Sequence, residues 1–99
     1  MDTLQVLAEP KRRQILEMIW DAELPASEIA SRFDVTFGAV SQHLRVLREA
    51  QLVTVRQDGN RRIYRADKVA LEPFREILEA AWRETLSHLA KTIEDSESG

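Results

Sequence analysis

The chain has 99 residues, 43% apolar and 31% charged, with a net charge of −3 and no cysteine. That is the composition of one globular domain with a thin core, because a chain this short buries only about 60–65% of the surface its unfolded form exposes. The lack of cysteine excludes a disulfide framework, a thiolate metal site and a thiol redox switch.

No apolar run approaches the ~18 residues of a membrane span, and Met1-Asp2 opens no signal peptide, so the expected compartment is the cytoplasm of a prokaryote. The first predicted helix is short, Thr3 to Ala8, capped by Asp2 or Thr3, with Leu4, Val6 and Leu7 as its apolar positions. Pro10 fits the first turn of a second helix, where its missing N–H costs nothing. That helix runs to Trp20 with Ile15, Leu16, Ile19 and Trp20 on one side. Lys11-Arg12-Arg13 stands at its start, the unfavourable end of the macrodipole for a cation. These three either touch phosphate or are held by partners within the protein, and the sequence leaves both readings open.

Asp21-Ala22-Glu23-Leu24 reads as a loop. Pro25 opens a third helix over Ala26 to Phe33, whose apolar face is Ile29, Ala30 and Phe33. Leu24 is a poor cap, so Ser27 and Glu28 ease the first turn. Asp34-Val35 then connects tightly to the stretch around which the chain is organised, Val35 to Val53. Thr36 is an N-cap, since its hydroxyl can accept an orphan backbone N–H. Val40, Leu44 and Leu47 fall at i, i+4 and i+7 on one helical face, with His43 and Val46 at its margins. The opposite face carries Ser41, Gln42, Arg45 and Arg48, hydrogen-bond donors with no acid among them. A helix apolar behind and donor-rich in front can be held by a core while its front enters a DNA major groove. Two short helices joined by such a connection read as helix-turn-helix.

Leu52 to Gln57 alternates Val53 and Val55 against Thr54 and Arg56, a strand period. Asp58-Gly59 signals a hairpin, because Gly supplies a positive φ without steric cost. Arg61 to Ala66 returns, with Arg62 and Tyr64 on one face and Ile63 and Arg65 on the other. Such a hairpin, tipped by Gly59 and Asn60 with Arg61 and Arg62 beside the tip, forms a wing that can lie along DNA. The alternative is an ordinary surface hairpin.

Asp67 caps a turn through Lys68 and Val69, and Pro73 opens a long last helix reaching roughly Glu94. Its stripe is Phe74, Ile77, Leu78, Ala81, Trp82, Thr85, Leu86, Leu89 and Ile93. That is more apolar surface than a small domain needs for its own core, and the surplus reads as a partner-helix surface. The expected homodimer interface therefore joins Leu4 and Leu7 to Phe74, Leu78, Trp82, Leu86 and Leu89. Residues 1–94 form the domain, and 95–99 a frayed, acidic, disordered tail.

Charge is unevenly spread. Residues 1–35 carry −3, residues 36–66 carry +4 and residues 67–99 carry −4. The positive third runs from the reading helix through the hairpin, and a local basic patch on an acidic protein is the footprint that matters for DNA. The alternative is a solvated surface whose charges cluster by chance.

These segments resemble the ArsR/SmtB family of bacterial winged-helix repressors. LAEPKRRQIL (Leu7 to Leu16) is similar to the family's Pro-started helix, with Glu9 where Asp is commoner. AVSQHLRVLREAQLV (Ala39 to Val53) is close to its recognition-helix signature, with Gln51 where the family usually ends the helix with Gly. RQDGNRRIYRAD (Arg56 to Asp67) resembles its wing. The resemblance implies a mainly α fold with a small β-hairpin wing, in the order ααααββα. It also implies dimerisation through the first and last helices, and binding of double-stranded operators with imperfect inverted repeats. His43 matches a position with a structural or phosphate-facing role. The family's cysteine-bearing sensor site cannot exist here, and its last-helix site wants several Asp, His and Glu, whereas this chain offers His88 with Glu84 one turn earlier and Lys91 opposing. No metal or other cofactor is expected, though two copies of His88 and Glu84 across a two-fold axis remain a conceivable site.

The leading expectation is a dimeric, sequence-specific DNA-binding repressor. Thr36, Phe37, Gly38, Ser41 and Gln42 lie nearest the bases, with His43, Arg45, Arg56, Arg61 and Arg62 completing the DNA contacts. The alternative is a protein-interaction module that keeps only the dimer, a reading the net acidity favours. An enzyme is not expected: no nucleophile–base pair, phosphate-cradling loop or metal triad is present. The sequence names neither an operator nor an effector, and whether an effector exists is left open.

Overall fold

Side chains placed just ahead of the helices decide where most of them begin. Asp2 accepts the backbone N–H of Gln5 at 2.9 Å while the Gln5 amide oxygen accepts the Asp2 N–H, a reciprocal capping box. It starts α1, Thr3–Leu7. Glu9 accepts the N–H of Lys11 and starts α2, Pro10–Met18, with Pro10 in the first turn. Thr36 Oγ1 accepts the N–H of Ala39 at 3.1 Å and starts α4, Phe37–Glu49. Between α2 and α4 lie β1, Leu24–Pro25, and α3, Ala26–Ser31, whose start has no side-chain cap because Pro25 occupies the position. The computed structural model describes residues 2–84.

After α4 come β2, Val53–Asp58, and β3, Arg61–Ala66, paired antiparallel with Val53 opposite Ala66 and Asp58 opposite Arg61. The loop is Gly59-Asn60, and only Gly59 takes a positive φ, 63°. This is the pattern of a two-residue turn with Gly in its first central position. The hairpin is not free-standing. Leu24 pairs with Tyr64 and Pro25 with Ile63, giving a three-stranded sheet in the order β1-β3-β2. The Asp21–Leu24 segment expected as a loop thus ends in a strand. A two-residue strand has no period of its own; it exists because β3 offers it an edge.

Asp67 accepts the N–H of Ala70 at 3.1 Å, as its position predicts, and starts α5, Lys68–Leu71. The expected start at Pro73 is corrected. Helix begins earlier, tightens to a 3-10 turn at Glu72–Phe74 and resumes as α6 over 75–84. Pro73 has no N–H for the helical ladder, so the turn tightens around it while Glu72 keeps α geometry, φ −52° and ψ −44°.

The core collects Leu7, Ile15, Leu16, Ile29, Leu44 and Leu47 with Val53 and Tyr64 from the sheet and Leu71 and Leu78 from the last helices. Leu7 at 3% exposed and Leu78 at 0% are covered within the single chain, which removes them from the expected dimer surface. Trp82 also turns inward: its indole N–H donates to the Arg13 carbonyl at 3.0 Å, and its ring meets Trp20 edge-on at 5.4 Å. Phe74 packs against the same core. The thin core predicted by chain length uses the first part of the last helix's stripe for itself. Leu86, Leu89, His88 and the 95–99 tail lie outside the described residues.

Candidate nucleic-acid interface

The amphipathic reading of α4 is realised by the backing it receives. Val40, Leu44 and Leu47 are buried, whereas Thr36, Phe37, Gly38, Gln42, Arg45 and Arg48 are exposed and Ser41 is half-exposed. The side chains of Ser41, Gln42 and Arg48 make no hydrogen bond or ion pair among the described residues, so their donors are unspent. Arg45 differs. Its Nε donates to Glu49 at 3.1 Å one turn on, so the donor face carries an acid that the expected set of side chains omitted. Both partners are well exposed, and such a pair contributes roughly 0–1 kcal/mol, which a phosphate can readily outcompete.

His43 is placed between α4 and α2 rather than on the open face. Arg12 Nη1 lies 3.5 Å from His43 Nδ1. A guanidinium only donates, so Nδ1 accepts and the imidazole is neutral there. Burial is the main cause that holds the His43 pKa below 6.5, and the Arg12 charge adds to it. The structural half of its expected role therefore fits, and the proton it carries sits on Nε2.

The basic run in α2 is resolved in the same sense. Arg12 Nε donates to the Val6 carbonyl at 2.7 Å, and Arg13 Nη1 donates to the Leu7 and Ala8 carbonyls at 2.8 and 3.0 Å. These are the orphan carbonyls at the end of α1, the end of a helix that favours cations. Lys11 sits 5.9 Å from the centre of the Phe33 ring. The run fastens α1 to the body of the fold.

The wing divides likewise. Arg56 Nε donates to Glu23 at 2.7 Å, tying β2 to the segment before β1, an exposed pair of the same kind as Arg45–Glu49. Arg61 is exposed and lies 3.6 Å from Asp58. Arg62 is exposed and has no partner among the described residues. Across from them stands Phe37, and the three residues border a cleft of about 290 Å³ floored by Pro25, Ala26 and Tyr64. Ser27 and Asn60 complete its rim. The sequence reading did not connect the start of α3 with the wing, because the β1–β3 pairing that joins them leaves no local signal.

A helix held by a core, with unspent donors facing out and an arginine-bearing hairpin beside it, defines a DNA-binding winged helix-turn-helix module. The family model described as bacterial regulatory protein, arsR family, matches residues 9–55, from the cap of α2 into β2. The chain is 41% identical to the HTH-type transcriptional regulator Rv2034 of Mycobacterium tuberculosis over 94% of its own length and 86% of that protein's. It is 32% identical to the arsenical resistance operon repressor of Staphylococcus xylosus over 70% of its length and 66% of that protein's. It is 35% identical to the transcriptional activator HlyU of Vibrio cholerae over 76% of its length and 69% of that protein's. The solved HlyU structure superposes with a TM-score of 0.69, covering 78% of this chain and 84% of that one. The chain belongs to the ArsR family of bacterial transcriptional regulators, a family of DNA-binding proteins and not of enzymes.

Among the described residues no three His, Cys, Asp or Glu side chains group as a metal site, and no helix is long and apolar enough to cross a membrane.

Proposed function

We propose that this regulator is a homodimeric repressor that reads an inverted-repeat operator through α4 and grips its backbone through the wing. The observation that carries the reading is the division of labour on one surface. Ser41, Gln42 and Arg48 keep free donors on α4, while Arg61 and Arg62 stand on the hairpin across a cleft from Phe37, the first residue of the same helix. Base contacts specify and phosphate contacts position, and these two groups of side chains suit the two tasks. Thr36 and Gly38 serve by backbone approach, Thr36 being spent as the cap.

Repression is favoured over activation by the Staphylococcus repressor, and HlyU supplies the opposing precedent. A module that only pairs with proteins finds support in the net acidity alone, and the positive segment 36–66 removes most of its force. The test is genome-wide mapping of bound sites combined with transcript levels in a strain lacking the gene. Bound promoters sharing a two-fold motif, with their transcripts rising on deletion, are the expected result. Falling transcripts would make the protein an activator, and no enriched sites would refute DNA reading.

A further inference from the structure

We infer that Phe37 is a specificity residue that reads the C5-methyl group of a thymine, an inference that rests on the DNA-reading face proposed above. Among the described residues the exposed large apolar side chains are Leu4, Phe37, Val69 and Ile77. Phe37, at 56% exposed, is the one on α4, at the first position of the helix. The first residues of a recognition helix are those that approach base edges.

Its surroundings leave it open to a ligand and place it beside the wing. On its inner side the ring borders the cleft shared with Tyr64, Arg61 and Arg62. Gly38, the next residue, presents no side chain, and even an added Cβ there would meet only Thr36 Oγ1, at 3.9 Å. The result is an aromatic edge standing in water among unspent donors, bounded by wing arginines that can hold the adjacent backbone.

Base chemistry then selects the partner. The major-groove edges of base pairs are donors and acceptors with one exception, the thymine methyl, which is the apolar group a ring can bury against. Ser41 and Gln42 supply the polar contacts, and Phe37 adds an apolar contact that they cannot make. Burying one methyl corresponds to about a fourfold change in affinity.

The experiment uses the full chain and a duplex that it selects from a randomised library. Each thymine is replaced singly by deoxyuridine, which removes the methyl and leaves every hydrogen bond, and affinity is followed by fluorescence anisotropy. The wild-type chain should lose about fourfold at a particular thymine. Phe37→Ala should bind the unmodified duplex about that much more weakly and be indifferent to deoxyuridine there, whereas Phe37→Leu should retain part of the sensitivity. Wild-type binding unaffected by deoxyuridine at every position would overturn the inference while leaving base reading intact, and that arm needs no variant to fold. Equal sensitivity in Phe37→Ala would also overturn it, by placing the methyl against another residue. Failure to select any duplex would end the reading face itself, and Phe37's role with it.

Discussion

Gln51 shows how a single residue can carry a structural cost in plain sight. It takes φ 60° just past α4, the conformation in which Gly is the usual occupant. The backbone around it closes a complete Schellman motif, with Leu52 N–H on the Leu47 carbonyl and Gln51 N–H on the Arg48 carbonyl, both 3.0 Å. Leu47 and Leu52 are buried, so the motif is locked from beneath and the strain is borne by Gln51. Gln51→Gly should therefore stabilise the chain by about 1 kcal/mol, raising Tm by roughly 4–8 °C, as thermal unfolding would show. His43 makes the second residue-scale prediction. Its folded-state pKa is lowered by burial first and by Arg12 second; Lys11 adds to the lowering and Glu9 opposes it. The unfolded chain therefore binds the proton more readily. Stability is complete above 6.5 and falls as pH drops from there toward the lowered value. Denaturant titrations through that window should show the loss, and His43→Gln should flatten it.

At the scale of elements, α4 carries one acid against its task. Glu49 holds Arg45 and adds a negative charge beside the donor face. Glu49→Gln should tighten binding to all duplexes alike and steepen the salt dependence, because the released arginine gains a phosphate; unchanged affinity would show that Arg45 stays clear of DNA. How much of this was legible depends on the range of the signal. The Thr36 cap, the α4 stripe and the Asp58-Gly59 turn are local, and the sequence displays them directly. The Leu24–Tyr64 pairing is not local, and the arginines of α2 bond to carbonyls, which leave no trace in residue identity. Helical period cannot separate a stripe that faces the chain's own core from one that faces a partner, so Leu7, Leu78 and Trp82 read as interface and lie inward.

For the whole molecule, that correction shifts the proposed dimer surface toward what is left uncovered, Leu4 at 58% and Ile77 at 51% exposed. Leu4→Glu with Ile77→Glu should convert a sedimenting dimer to a monomer that keeps its helical circular dichroism, since neither side chain supports the core, while Tm falls by the stability that association supplied. A two-fold axis through such a surface would set the two α4 helices about 34–36 Å apart, one turn of DNA. The acidity of the rest of the chain fits this arrangement, because it confines attraction for DNA to the positive segment 36–66. The central claim is that α4 specifies and the wing positions, and one set of binding curves tests it most directly. Affinity is measured across a salt series for the wild-type chain, Ser41→Ala/Gln42→Ala and Arg61→Ala/Arg62→Ala, on a selected duplex and on an unrelated one. The α4 pair should lose preference for the selected duplex by about 1–3 kcal/mol for each bidentate contact and keep its salt slope. The wing pair should weaken on both duplexes equally, with the slope falling by about one for each lost phosphate contact. Unchanged preference in the first variant together with an unchanged slope in the second would contradict the account.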